Sequence, residues 1–550
     1  MLLLLAACTG KDAAPHPEDP ISDSAEDIPS QGPSDALYAR DHLLDVAITM
    51  DPADWEQLRL QSRDIVDMLK GDCLAQPFAD PYTWFPGEVS IDGEVVPNVG
   101  VRKRGLLGSA STTKPGIKIG FDKYTEGGTF HDLDRLNFTN AQQDPTLLHV
   151  CLTYDTFAAA GFLAPRCSLA SLSVNGEALG TYVNVESYAA DTLARRFEDP
   201  SGDLWEGTLS DFREDWVHTF DPKDADNDPA SLQAVVDALA AEDAALLDAL
   251  DQVIDLDEYL RFWALETLTG HWDGYNGNTN NFFVYADPGD HRLHFLPWGA
   301  DATWESAAPF GAGVSVLTNA SLPLRLAAIP DGKARFEAAL REVTDQWDSA
   351  AALATVDQLE PLVAPTMGPD YTSAVNSLRG VLRGRADDVL SQLDAGPAYA
   401  GALYTNPCLV AQGDVAATFT TTWGTYDNDD YYSGASTLGM NWAGADYTTS
   451  NNGEAIGNLD GQAFLVLLGE LEGGAMIAPY VLFNVEDVAP GTVDLAGTTS
   501  VLLYKDASSR SEWVQAAYLS DGAITFTRAS TGEGAEVVGT LSGVLYTGAQ

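Results

Sequence analysis

Apolar and polar positions follow two rhythms along this chain, and the rhythms divide it. Leu44–Ala47 alternates as a strand, a helix is expected to open at Asp51-Pro52, and a strand pair falls around Val89–Val101. Asp144 and Pro145 carry the signature of a helix start, with Leu147, Val150, Cys151, Tyr154, Phe157 and Ala158 recurring at helical spacing behind them. Leu169–Val174 and Gly180–Glu186 flank Asn175-Gly176, a dipeptide that favours the positive φ values of a tight hairpin. Leu256–Leu268 places Leu260, Trp263, Ala264 and Thr267 on one helical face and stops at Gly270. Two strands follow, Phe282–Tyr285 and Leu293–Leu296, joined through Asp287-Pro288-Gly289-Asp290. From about Cys408 the texture changes. Short β-branched and aromatic runs such as Ala417–Trp423 and Val501–Tyr504 alternate with Gly, Asp, Asn and Ser turns, which predicts an antiparallel β-sandwich.

With 550 residues the chain exceeds what one hydrophobic core can organise, and 45% apolar content excludes a disordered protein. Composition sets the boundaries. Residues 9–38 are rich in Pro, Asp, Ser and Glu and read as a disordered tether; 39–395 form an α+β domain. Residues 396–406, opening on Gly396-Pro397, read as a linker, and 407–550 as the sandwich. The net charge of −52, from 81 acidic against 29 basic side chains, repels phosphate backbones and argues against nucleic acid. It suits a basic protein partner, although a solvated acidic surface would give the same count.

Met1–Cys8 runs apolar into Leu5-Ala6-Ala7-Cys8, which resembles a bacterial lipobox, residues 1–8 being the remnant of the signal. The expectation is an exported protein anchored through lipid on Cys8 to the envelope, at the outer membrane or cell surface. No other apolar run is long enough to span a bilayer. Cys73, Cys151, Cys167 and Cys408 then remain, and three disulfide connectivities are open. Cys151 and Cys167 form the best pair by geometry: a helix carries the chain away from Cys151 and a strand brings it back over a similar distance. Cys73 with Cys408 follows by elimination.

The chemistry concentrates after Gly270. His271-Trp272-Asp273 is followed five residues later by Asn278, then by the hairpin, then by Pro297-Trp298-Gly299-Ala300-Asp301. Counting from a hairpin centre at 288–289 places Asn278 opposite Gly299, with Asp301 a few residues away. A carboxylate that takes a hydroxyl proton, with an amide and a second carboxylate that hold a divalent cation, is the equipment of phosphoryl transfer. Asn-rich loops also serve as plain turns or structural Ca2+ loops. Upstream, Arg102-Lys103-Arg104-Gly105 leads through Ser109 to Lys114-Pro115 and Lys118, a Gly/Ser turn with basic flanks whose backbone N–H groups can cradle an anion. A basic surface hairpin would read the same. The acidic groups Asp221, Asp224, Asp226 and Asp228, and Asp427, Asp429 and Asp430, lack a full Ca2+-loop pattern. Metal-protease spacing, a Gly-x-Ser-x-Gly elbow and a Cys/His nucleophile pair are all missing from the sequence.

Taken in order, Arg-x-Arg-Gly with Ser and Lys-Pro, the following helix, the Asn175-Gly176-Glu177 hairpin running to Glu186, Trp272-Asp273-Gly274-Tyr275 with paired Asn, and Pro-Trp-x-x-Asp resemble the CotH (spore coat protein H) family of atypical protein kinases. The resemblance covers roughly Asp41 to Leu393. It implies a two-lobed, protein-kinase-like domain that uses ATP with Mg2+ or Mn2+ to phosphorylate Ser or Thr in surface or envelope proteins. It assigns Arg104, Gly105 and Ser109 to the phosphates and Lys114 or Lys118 as the phosphate-contacting lysine. Glu186 would sit near the adenine hinge, Asp273 would be the catalytic base, and Asn278 and Asp301 the metal ligands. Two positions depart from the pattern. Gly299 replaces the first Asp of the usual Pro-Trp-Asp-x-Asp, and the helix after Asp144 has no Glu to pair with a lysine, Asp155 being its only acid. A non-catalytic surface adhesin is therefore the alternative reading.

Overall fold

A computed structural model describes residues 32–106, 109–224, 226–305, 316–424, 435–442, 444–449, 451–459, 461–496, 498–506 and 513–548. Cys8, most of the tether, Leu107, Gly108, Asp427, Asp429 and Asp430 lie outside these residues.

Among the described residues, seven strands close a barrel in the order β1-β2-β3-β4-β5-β7-β6. They are β1 (Leu44–Met50), β2 (Phe85–Ile91), β3 (Glu94–Arg104), β4 (Gly116–Gly120), β5 (Arg135–Thr139), β6 (Cys167–Val174) and β7 (Glu177–Val185). Neighbours are antiparallel except where β6 returns to β1, pairing Leu44 with Ala170. Period-two alternation fills the interior with Val46, Ile48, Val101, Ile117, Ile119 and Phe138. Lys103 shares the inward phase of Val101, and its ammonium donates to the carbonyls of Arg59 and Gln61, at 2.7 and 2.5 Å. Those carbonyls lie at the end of α1 (Pro52–Leu60), which with α2 (Ile65–Leu69) occupies the long β1–β2 connection.

A helix, α3 (His149–Ala159), and the short α4 (Ala190–Leu193) lead into the second lobe. Its sheet runs β11-β10-β8-β9, from β8 (Asp203–Gly207), β9 (Asp221–Pro222), β10 (Phe282–Ala286) and β11 (Leu293–Pro297). Around it lie α5 (Ala230–Leu239), α6 (Leu246–Asp251), α7 (Leu256–Thr269), α8 (Tyr275–Asn278), α9 (Ser321–Ala327), α10 (Pro330–Gln346), α11 (Ser349–Val363) and α12 (Tyr371–Ala395). The buried helix α7 is central: Asp255 accepts from the Glu258 amide at its start, and Gly270, at φ 70°, ends it. Trp263 of α7 stacks on Phe336 of α10, ring centroids 3.7 Å apart.

A parallel pair, β12 (Val316–Leu317) with β13 (Tyr399–Ala400), precedes the C-terminal domain. That domain contains β14 (Leu409–Thr422), β15 (Ala435–Trp442), β16 (Ala445–Thr448), β17 (Asn451–Leu459) and β18 (Gln462–Glu470). It continues with β19 (Met476–Asn484), β20 (Gly491–Asp494), β21 (Thr499–Lys505), β22 (Val514–Arg528) and β23 (Glu536–Gly548). These ten strands form one antiparallel sheet that curls until β17 packs on β14 and β15. Its core, including Val415, Phe419, Ile456, Leu465, Val481 and Leu541, lies inside the curl. The sandwich expectation holds in texture, but its two layers belong to one continuous sheet. The molecule is α+β, a two-lobed unit followed by an antiparallel β domain.

Three details differ from the sequence expectations. Pro33–Tyr38, assigned to the tether, form a 3-10 helix that buries Leu37 and Tyr38 against the barrel. Helix α3 begins at His149 rather than at Pro145. Leu147 takes φ 60°, and Asp144 closes the loop by accepting from the Thr146 and His149 amides, both at 2.7 Å. The hairpin pairs Phe282 with Pro297, which shifts its register two positions from the expected one. The linker 396–406 packs on the second lobe through β13, Ala402 and Tyr404. Both expected disulfides are present, Cys151–Cys167 and Cys73–Cys408, with Cα atoms 5.3 and 5.4 Å apart. No helix among the described residues is long and apolar enough to cross a membrane.

Candidate active site

The loop after Gly270 is held from below by two buried side chains. Glu266, on the last turn of α7, accepts from the backbone amides of Tyr275 and Asn276, both at 3.0 Å, and from the Asn276 side chain at 2.6 Å. Burial pushes its carboxyl up to about 7. A side chain on Gly274 would collide with that carboxylate, so the Gly in Trp-Asp-Gly-Tyr is sterically required. His271 is buried, and burial holds its imidazole down at about 4, so the ring is neutral near pH 7. Its Nε2 lies 3.3 Å from the Gly299 carbonyl and must be the protonated nitrogen to donate there. His271 thereby ties the loop to the segment that carries Asp301.

Asp273 sits above this floor inside a cage of amides. Its Oδ1 accepts from Asn278 at 2.6 Å and Asn280 at 3.3 Å, and its Oδ2 from Asn281 at 2.7 Å. Three donors for about four lone-pair sites leave Oδ2 one acceptor position. Burial raises the Asp273 carboxyl above its ordinary value, and the three amides pull part of that back. Asn278 donates through Nδ2, and its Oδ1 carries no hydrogen bond among the described residues. Thr279 and Asn281 both take φ 50°, and for a β-branched threonine that is a strained backbone, common where a loop is held in one working geometry.

Asp301 closes the far side. Burial, together with the charges of Asp144 and Asp273, pushes its carboxyl up to about 6, and its backbone carbonyl accepts from His149 Nδ1 at 3.1 Å. Asp273, Asn278 and Asp301 are thus brought to one place. The register does it differently from the sequence count. Asn281, rather than Asn278, lies beside Gly299, and a Cβ on Gly299 would run into the Asn281 side chain. The Asn281 amide that serves Asp273 therefore occupies the space a side chain at position 299 would enter.

The barrel contributes cations. Arg102 and Lys118 pair directly across β3 and β4, a like-charge juxtaposition that weakens a sheet unless something else uses it. Arg102 is engaged by Asp80. Lys118 has no hydrogen bond or ion pair among the described residues, and burial, with Arg135, Arg102 and Arg104 nearby, pushes it down to about 7. Arg104 lies over Trp298 at 5.9 Å and senses the charges of Glu206 and Asp301 across the cleft. Lys114 instead lies over the Tyr182 ring at 5.1 Å, so Lys118 is the lysine that shares Arg104's surroundings. Gly105 takes φ 121° and packs against Ser109, whose carbonyl accepts from Asn140 at 3.0 Å.

Glu186 braces the fold. Its carboxylate is engaged by Arg166 and Arg195 at 2.6 Å each, and its amide donates to the Arg166 carbonyl at 3.0 Å. The carboxylate facing Lys118 comes from the opposite lobe. Burial alone would raise Glu206, but Lys223, Lys118 and Arg104 hold it below its ordinary value, and it bonds Lys223 directly. Helix α3 offers Tyr154 to the Gly299 backbone, while its only acid, Asp155, pairs with Arg40 at 2.7 Å. Sequence reasoning missed Glu206, Lys223 and Glu266, and read Asp144 only as a helix start and Asn281 only as one of a pair of asparagines. The Asn280-Asn281 pair was the one local signal available.

Hard oxygen donors on Asp301, Asp144 and Asn278 suit Mg2+ or Mn2+. Among the described residues, the groups of three acidic or histidine side chains close enough to share one ion lie elsewhere, at the far end of the hairpin. There Asp255 and Glu258 on one side, and Asp287 and Asp290 on the other, each gather with His294, partly neutralised by Arg196 and Arg292.

Known proteins resemble part of this chain. Invasin CotH2 of Rhizopus delemar is 26% identical over 227 residues, covering 36% of this chain and 36% of that protein. Inner spore coat protein H of Bacillus subtilis is 24% identical over 189 residues, covering 32% of this chain and 51% of that one. The chain thus spans about a third to a half of the length of these relatives. A crystal structure of the Helicobacter pylori proinflammatory kinase CtkA aligns with a TM-score of 0.28 and 9% identity, over 52% of this chain and 92% of that one. The sequence model for CotH kinase protein matches residues 101–393, just over half of the chain and all of the site except its supports from α1 and the β1–β2 connection. This chain belongs to the CotH kinase protein family.

Proposed function

We propose that this protein is an exported kinase that transfers the terminal phosphoryl group of ATP to Ser or Thr hydroxyls of surface or envelope proteins, and that lipid on Cys8 anchors it. The observation that carries the reading is the meeting of Asp273, Asn278 and Asp301 opposite Arg104 and Lys118. Asp273 Oδ2 keeps one acceptor position and a raised pKa, which suits a base that takes a hydroxyl proton. Asp301 and Asn278 Oδ1, with Asp144 beside them, would hold Mg2+ or Mn2+, which when bound neutralises phosphate charge. Arg104 and Lys118 supply further positive charge, with Glu206 facing both from the second lobe. The acidic surface favours basic substrates. Relatives named as an inner spore coat protein and an invasin support a surface location.

A second reading, a surface-binding protein on a kinase scaffold, is favoured by one observation: Gly299 stands where the family resemblance expects an Asp, and Asn281 occupies the space its side chain would enter. Incubation of the disulfide-bonded chain with γ-labelled ATP and Mn2+ or Mg2+ separates the two. Label on Ser or Thr, lost in Asp273→Ala and Asp301→Ala, is expected. Absence of incorporation with either metal and with basic acceptor proteins would leave the binding reading.

A further inference from the structure

The segment between the two-lobed unit and the β domain lies across the catalytic loop. After α12, β13 pairs with β12, and Thr318 donates its amide to the Ala400 carbonyl at 3.0 Å. Ala402 donates to Asn319 Oδ1 at 3.1 Å, and Asn319 in turn bonds the loop twice: its amide to the Asn276 carbonyl at 3.0 Å, its Nδ2 to the Gly277 carbonyl at 2.5 Å. The Tyr404 hydroxyl reaches the same Gly277 carbonyl at 3.0 Å. Arg213 fixes Tyr404 from the other side through the Tyr404 carbonyl, also at 3.0 Å. Both lone pairs of one carbonyl are therefore filled, immediately before Asn278. Gly277 has no room for a side chain, since a Cβ would meet the Trp272 carbonyl and Leu317.

The far end is anchored in the first lobe. Cys408 is bonded to Cys73, in the β1–β2 connection, and the Leu409 carbonyl accepts from the Gly71 amide at 2.9 Å. The strap, Tyr399 to Pro407, thus starts on the second lobe, touches the loop and ends on the first. It lies beyond residue 393, outside the family match. Burial raises the Tyr404 phenol above its ordinary value, so it is a donor throughout the physiological range.

Resting on the kinase reading above, we propose that Tyr404 is a positioning residue for the catalytic loop. Through the Gly277 carbonyl it sets the aim of Asn278, and the strap holds it there because Cys408 is tied to Cys73. The β domain is thereby coupled to the metal-binding amide.

The test uses the full chain with its disulfides intact and two variants, Tyr404→Phe and, as a control, Tyr399→Phe, whose lost hydroxyl bonds Glu337 instead of the loop. Hydrogen exchange over residues 271–281 reports loop order directly, and the Mn2+ concentration for half-maximal phosphorylation reports the aim of Asn278. For Tyr404→Phe we expect severalfold faster exchange in the loop and a half-saturating Mn2+ concentration raised about fivefold, the worth of one neutral hydrogen bond, with KM for the acceptor protein unchanged. Tyr399→Phe should change neither. Unchanged loop exchange in Tyr404→Phe, equal change in both variants, or a lowered Tm with no shift in metal dependence overturns the assignment. If the wild type transfers no phosphate while Tyr404→Phe still loosens the loop, the kinase reading fails and the strap's hold on the loop stands.

Discussion

Asp273 is surrounded by donors, and that limits which substitutions report on chemistry alone. In Asp273→Asn an NH2 group must face at least one of Asn278, Asn280 or Asn281, where a carboxylate oxygen now accepts. We expect that variant to lose transfer and also about 1–3 kcal/mol of stability, the cost of an unpaired buried donor; a Tm equal to wild type would rule out the cage. Restoring the family carboxylate by Gly299→Asp meets the Asn281 side chain. It should lower Tm and weaken rather than improve metal binding, unless Asn281→Gly is made with it. Asp301 gives a pH dependence with opposite signs for binding and stability. Its folded carboxyl, about 6, lies above the ordinary value of 3.8. Below about 6 it is protonated and poor as a ligand, so the wild type's metal-nucleotide affinity, read by calorimetry, should rise as pH increases through that value. The folded chain holds the proton more tightly than the unfolded chain. The stability this contributes is therefore fully present below 3.8 and lost as pH rises through about 6. Thermal melts across that window should show the loss in the wild type, and Asp301→Asn should reduce it, leaving the part that Glu266, at about 7, contributes with the same sign.

Among helices and strands, the sequence was most legible where chain-local chemistry decides the outcome. Asp255 and Gly270 bound α7 as their residue types require, and Asn175-Gly176 makes its hairpin, both residues at positive φ. It was least legible where a side chain acts on a distant turn. Helix α3 starts late because Asp144 caps it across a loop, which helical spacing cannot show. The β10–β11 register moved because His291, at φ 60°, extends the turn and donates its amide to the Asp287 carbonyl. Glu206 was invisible for a different reason: nothing near it in sequence marks it, and Lys118 and Arg104 come from the other lobe. Asp273, Asn278 and Asp301 were legible because one hairpin brings them together. The Cys151–Cys167 disulfide joins α3 to β6 over a separation of 16 residues. Opening it by Cys151→Ser with Cys167→Ser should cost about 3 kcal/mol in chemical denaturation, and an unchanged midpoint would show that packing alone fixes α3.

Across the whole chain, the two larger units meet at a small separate core. The β domain keeps its own interior, while Val66, Met68, Leu69, Trp216, Leu409 and Tyr546 cluster around Cys73–Cys408. Residues 407–550 with Cys408→Ser should therefore fold alone, with a strand-dominated circular dichroism spectrum and a cooperative melt; a non-cooperative melt would mean that the shared cluster is part of its core. The sequence showed where the texture changes but not that the connection is strapped to the loop after α7, because Tyr404 and Gly277 are brought together only by the folded second lobe. The kinase reading turns on whether the cleft between barrel and second lobe binds a metal nucleotide through Asp301. Calorimetric titration of the full chain with Mn·ATP decides that. Saturable binding by the wild type, abolished in Asp301→Ala, is expected; no heat of binding with Mn·ATP or Mg·ATP, or equal binding by the variant, would refute it.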